Sequence, residues 1–177
     1  MKCRFFLILF SSRKISLGEG DMDSRDMALR KEGDARGYYE RCGAEAGIAG
    51  FTTIFRMFTE DETRHADALR ALLNGARVEL PVSKTLAGAR TILRRLAVQQ
   101  GSLSFTGDLA SYQSAMQFEA VSARACGKLA QEAPSGWERE LFLRIAADDE
   151  IHFTLLEEMR ELLQVNGEEP GGMSDAG

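Results

Sequence analysis

From Phe51 to Leu73 the apolar positions recur with the period of a helix. Ile54, Phe55, Phe58, Leu69 and Leu72 fall on one stripe, and His65 falls on it among them. Residues 24 to 46 also favour helix, although Gly33, Gly37 and Gly43 weaken it. A shorter segment from Lys84 to Gln99 and two longer ones, Leu109 to Gln131 and Trp137 to Leu163, complete the helical set. The breaks carry their own chemistry: "GIAG" at 47 to 50, "NGARVELPVS" from Asn74 with Pro81 behind it, "GSLSFTGD" from Gly101, and "APSG" at 133 to 136. The pattern predicts an all-α chain of two helical hairpins, joined by a long connection of about 30 residues that contains the short helix.

A four-helix bundle with one long crossover is the ferritin-like arrangement. The expected organisation is an irregular N-terminal extension over 1–23, the bundle over 24–165 and a disordered tail over 166–177. The extension, with its short apolar run Phe5 to Phe10, falls short of the roughly 7–15 residues of a secretory apolar core, and no small-x-small cleavage site follows. It is also too short to span a membrane, and it reads as sequence upstream of a start at Met22 or Met27.

Composition narrows the function. The net charge of −5 and the lack of a basic face with interleaved aromatics argue against nucleic acid as a partner. The one basic cluster, "RTILRR" from Arg90 to Arg95, reads as a solvated helix face. Cys3, Cys42 and Cys126 are isolated, with no Cys-x-x-Cys pair, as free thiols in a reducing compartment are. That excludes a thiolate zinc or rubredoxin-type iron site and leads to a cytoplasmic assignment without membrane contact.

The two histidines of the chain then stand out. His65 follows Glu62 by three residues, and His152 follows Asp149 by three, so each pair projects from one face of its helix. Imidazole and carboxylate together suit metals such as iron. Di-iron bundles use an acid-x-x-His on two helices and a single Glu on each of the other two. In a hairpin, residues equidistant from the turn lie at one height. For His65 that partner is position 32, and for His152 it is position 119; both are glutamate, 33 residues before their histidine.

The halves align at an offset of 87 residues, placing Glu32, Glu45, Ala46, Phe55, Asp61, His65 and Leu69 on Glu119, Glu132, Ala133, Phe142, Asp148, His152 and Leu156. A duplicated hairpin with a pseudo-two-fold axis through a metal pair accounts for this. Four carboxylates and two neutral imidazoles also balance two divalent cations, whereas four unpaired buried carboxylates would be costly. Asp61 and Asp148, four residues before the histidines, are expected to accept the free ring N–H of a ligating histidine across the bundle. Ligation by Asp148 in place of Asp149 is the alternative. Glu40, Glu45, Glu60, Glu132 and Glu150 read as solvated, the stripe "FTTIFRMF" as core, and Cys126 as a small core residue in preference to a redox thiol.

"EGDAR…YY" (Glu32 to Tyr39), "EDETRHADAL", "DLASYQSAMQFEAVSARACGKLA" (Asp108 to Ala130) and "AADDEIHFTLL" resemble the four helices of the rubrerythrin-type branch of the ferritin-like superfamily. The resemblance covers roughly Met27 to Leu163. It implies a non-haem centre of two iron ions, or manganese or a mixed pair, with Glu32, Glu62, His65, Glu119, Asp149 and His152 as ligands. Tyr39 would stand close enough to hydrogen-bond one of them. It implies reduction of hydrogen peroxide or oxidation of ferrous iron with oxygen. Two departures matter. The chain lacks cysteines for a rubredoxin centre, so electrons must come from an external donor. Position 122 is serine where rubrerythrins carry an additional glutamate, which counts against their ligand exchange. The same ligand pattern also serves di-iron hydroxylases of the demethoxyubiquinone or tRNA-modifying kind, and a non-catalytic iron-binding bundle is the third reading. Homodimerisation suits such a bundle, though no residue demands it.

Overall fold

The computed structural model describes residues 24–99 and 109–167, and within them the secondary structure is five helices: α1 (Ser24–Glu45), α2 (Ala49–Leu73), α3 (Thr85–Val98), α4 (Leu109–Glu132) and α5 (Gly136–Gly167). The expected extension over 1–23, the whole of the "GSLSFTGD" loop and residues 168–177 of the expected tail lie outside the described residues. α1 pairs with α2 and α4 with α5 as two hairpins, and α3 lies against α2 and α5. No described helix is long and apolar enough to cross a membrane.

Local chemistry sets the ends of these helices. Gly47, at φ 65°, makes the turn between α1 and α2, and Thr52 Oγ1 donates back across it to the Gly43 carbonyl at 3.1 Å. α2 therefore begins at Ala49, two residues before the expected Phe51, because Ile48 is the extended residue ahead of the helix and Gly50 fits within its first turn. α2 ends in a left-handed cap. Gly75, at φ 75°, donates to the Leu72 carbonyl at 2.9 Å and Ala76 donates to Ala71 at 2.9 Å, satisfying carbonyls the helix leaves open. α5 opens with a capping pair. The Ser135 hydroxyl accepts from the Glu138 N–H at 3.3 Å and donates to the Glu138 carboxylate at 3.1 Å. Arg25 pairs with the same carboxylate at 2.9 Å, tying the starts of α1 and α5 together. α5 runs on through Gly167, past the expected end at Leu163 and into the range expected as tail. Leu162 and Leu163, at the expected end, are buried in the core, and the turn beyond them is exposed at Gln164 and Val165.

Two apolar clusters fill the bundle. One gathers Phe51, Ile54, Phe55, Phe58, Tyr112, Leu155, Leu156 and Met159 with Ala89, Leu93 and Leu96 from α3. The other gathers Leu69, Leu72, Leu129, Leu141, Phe142 and Ile145. Phe55 and Phe142, matched by the internal alignment, fall in different clusters, and so do Leu69 and Leu156. That exchange is what a two-fold axis between the clusters produces. Burial of each such side chain contributes about 1.5–3 kcal/mol. "RTILRR" divides by face: Leu93 is buried, Arg94 and Arg95 are exposed, and Arg90 bonds Glu158 of α5 at 2.9 and 3.1 Å.

Candidate metal centre

Between the two apolar clusters the four long helices turn charged residues inward. Glu32 comes from α1, Asp61, Glu62 and His65 from α2, Glu119 from α4, and Asp148, Asp149 and His152 from α5. Glu32, Glu62, His65, Glu119, Asp149 and His152 are each 1% exposed or less. A buried layer of this kind must be paired, protonated or filled by a cation.

The hairpin registers bring the expected partners together. His65 Nδ1 lies 3.0 Å from Glu32 Oε2 and 3.8 Å from Glu62 Oε2. His152 Nδ1 lies 2.9 Å from Glu62 Oε1 and 3.5 Å from Glu119 Oε1. The other ring nitrogens reach across the bundle, with His65 Nε2 3.1 Å from Asp148 Oδ2 and His152 Nε2 3.1 Å from Asp61 Oδ2. A carboxylate accepts, so each Nε2 donates its proton to the aspartate behind it, and each Nδ1 is the ring atom that faces the acidic cluster and would ligate a metal on giving up its own proton.

Two sets of donors can each hold a metal ion. Glu32, Glu62, His65 and Asp149 offer one, Glu62, Glu119, Asp149 and His152 the other, and within each set the donor atoms lie within 4.8 Å of one another. Glu62 and Asp149 belong to both. Asp149, not Asp148, faces the cluster; Asp148 stands behind His65. The fit to a cation is direct. Glu62 Oε1, Asp149 Oδ2 and His152 Nδ1 are buried without a hydrogen-bond partner. The 2.9 Å approach of His152 Nδ1 to Glu62 Oε1 is not aligned as a hydrogen bond. These atoms converge on shared space instead of on each other, as ligands of a third atom do.

The electrostatics agree. Burial, with the charge of Glu62, pushes Glu32 up to about 8. Burial first, and then neighbouring carboxylates, raises Asp149 and Glu119. At Glu62 burial is outweighed by the imidazoles of His152 and His65, which hold it at about 2. Burial disfavours charge on both histidines, but Asp148 and Glu32 raise His65, and Asp61 and Glu119 raise His152. Protons therefore compensate the cluster where a cation would otherwise do so, and a divalent ion competes with them directly.

Ser83, Thr85 and Arg64 are contributors that the sequence pattern does not single out. Ser83, in the loop ahead of α3, donates to Asp61 Oδ2 at 2.8 Å, and Arg64 bonds Asp61 Oδ1. With His152 and Thr85, Ser83 holds Asp61 below the usual carboxylate range despite its burial. Ser122 Oγ lies 3.5 Å from Glu32 Oε1. The Tyr39 hydroxyl bonds Glu119, and the Phe58 ring lies 4.4 Å from that of His152. Burial, and then the charges of Asp149 and Glu32, keep the Cys126 thiol protonated, in line with a core role. Glu40, Glu45, Glu60, Glu132 and Glu150 are exposed, and "FTTIFRMF" packs in the core.

The surroundings are unequal. Between α1 and α4 a cavity of about 160 Å³ is lined by Met27, Ala28, Lys31, Ser122, Ala125 and Cys126, among others. Toward Tyr38, Tyr39, Ala115 and Phe118 the void is about 10 Å³. Comparison of the chain with family models, with characterised proteins and with solved structures finds no match.

Proposed function

We propose that this chain is a non-haem di-iron oxidoreductase of the rubrerythrin-like, ferritin-like kind, reducing hydrogen peroxide or oxidising ferrous iron with oxygen. The observation that carries the reading is the pair of overlapping donor sets. Two carboxylates common to both sets suit two ions side by side, with Glu32 and His65 completing one position and Glu119 and His152 the other.

Two ferrous ions supply two electrons, the number needed to reduce one peroxide to water, and ferrous oxidation by oxygen draws on the same pair. The chain's residues set the conditions. Asp148 and Asp61 fix the histidine rings through Nε2 and raise the basicity of Nδ1. Tyr39 keeps a proton at Glu119, and Phe55 and Phe58 exclude water on that side. Electrons to reset the centre would come from an external donor, since no rubredoxin-type cysteine set is present. The donors also accept manganese, so the metal itself is part of the test.

The test is metal content per chain after expression in iron-replete cells, followed by spectra of the ferrous protein mixed with peroxide or with air. About two irons per chain and rapid oxidation by one of these oxidants are expected, and the faster one separates peroxidase from oxidase. Iron held without reaction toward either would identify a storage or carrier bundle. A folded helical protein that retains no metal would overturn the reading. A hydroxylase is the second reading, and the observation favouring it is the 160 Å³ cavity beside Glu32; oxygen uptake that requires an added organic substrate would select it.

A further inference from the structure

Among the described residues, the proposed centre has two positions and one open approach. Ser122 and Cys126 are buried, at 2% and 1% exposure, and line the α1–α4 cavity. Ser122 Oγ contacts Glu32 Oε1 at 3.5 Å, so the cavity ends against the back of a proposed ligand. Its remaining wall is made largely of small or flexible side chains, Ala28, Ala125 and Met27; Lys31 and Lys128 supply cationic groups along it, and Glu132, 3.7 Å from Lys128, an anionic one. The Glu119 position is closed by comparison. Tyr39 bonds Glu119, Phe58 covers His152, and the adjoining void of about 10 Å³ is at the lower limit for one water. The α2–α5 face is covered by α3. The internal alignment shows where the difference arises: Tyr39 and Ala35 in the first half correspond to Cys126 and Ser122 in the second.

We infer that the α1–α4 cavity is the route by which a small neutral or anionic ligand reaches the metal position held by Glu32 and His65, while the position held by Glu119 and His152 is shielded. This rests on the di-metal reading above. The occupant is of the size and charge of peroxide or its anionic analogues. Lys31 opposes the entry of cations, while Glu132 offsets the charge of Lys128, and Ser122 alone stands between the cavity and Glu32.

Azide is the probe, added to the full-length metal-loaded protein and followed by stopped-flow absorption. Ala125→Leu fills the cavity from a half-exposed position and is expected to retain both metals while slowing azide association at least about tenfold. Lys31→Glu, also half-exposed, is expected to slow azide without slowing neutral nitric oxide. Should the first variant fail to fold, the second carries the test. Both metals retained with unchanged azide association would overturn the route and leave the metal reading standing. A wild-type protein without metal would remove both.

Discussion

The two halves of the bundle set the same residue types at the same heights and then finish them differently. In one, His152 is backed by Asp61, which Arg64 and Ser83 also hold, and Tyr39 and Phe58 close the space in front. In the other, His65 is backed by Asp148, Ile151 stands where Arg64 would correspond, and Cys126 and Ser122 leave a cavity beside Glu32. On the proposed di-metal reading, near-symmetric ligands with asymmetric surroundings shield one position and leave the other beside a cavity, a division that suits a centre that binds metal and meets a small molecule.

The largest effects should come from the residues the two positions share. Glu62→Ala is expected to lower metal content from about two per chain to near zero, and Asp149→Ala to do the same. Glu32→Ala and Glu119→Ala should each leave about one. Metal analysis after desalting checks all four, with circular dichroism to show that the helices persist. Equal losses in all four variants would remove the distinction between shared and unshared ligands.

Next come the carboxylates behind the histidines. Asp61→Asn and Asp148→Asn should each weaken one metal position by about 10–100-fold in competition with a chelator. The Asp61 variant acts on the Glu119–His152 position and the Asp148 variant on the Glu32–His65 position. Ser83→Ala, which frees only one of Asp61's restraints, should give a smaller change at the same position as Asp61→Asn.

The pH dependence of chelator-stripped protein sharpens the contrast further. Glu32 is raised from 4.5 to about 8, so its contribution to stability is present below pH 4.5 and lost as pH rises through 8. His65 and His152, raised above 6.5, act with the same sign. Glu62, lowered to about 2, contributes above 4.5 and loses that contribution as pH falls toward 2. Stripped protein should therefore melt at a lower temperature at pH 8.5 than at about pH 5.5, and Glu32→Gln should reduce the difference. Metal loading should release protons and remove the alkaline loss. A stripped protein whose melting point rises over this range would contradict the account.

The smallest effect is expected from Tyr39→Phe. It removes one hydrogen bond to Glu119 while keeping the ring, at a cost of about 1 kcal/mol. Calorimetry should show a fall of about 2–4 °C in Tm.

Much of this arrangement is legible in the sequence because helices convert spacing into position. The acid-x-x-His pairs and the equal distances of Glu32 and Glu119 from their turns place six side chains in one layer without tertiary information. Features set by contacts between elements are not legible in that way. Ser83 reaches Asp61 from a loop whose path no periodicity describes. Glu138, an acid in the first turn of α5, is buried because Arg25, 113 residues away, lies beside it. The cavity depends on which small side chains of α1 and α4 face each other, and that pairing appears only once the hairpins are packed.

The central claim is that the two donor sets hold a pair of metal ions bridged by Glu62 and Asp149. Anomalous diffraction from crystals of the iron-loaded protein tests this most directly. Two peaks about 3.5–4 Å apart are predicted, one against Glu32 and His65, the other against Glu119 and His152, with Glu62 and Asp149 touching both. Iron bound only at exposed acids, or a loaded crystal with no peak between the two apolar clusters, would contradict it.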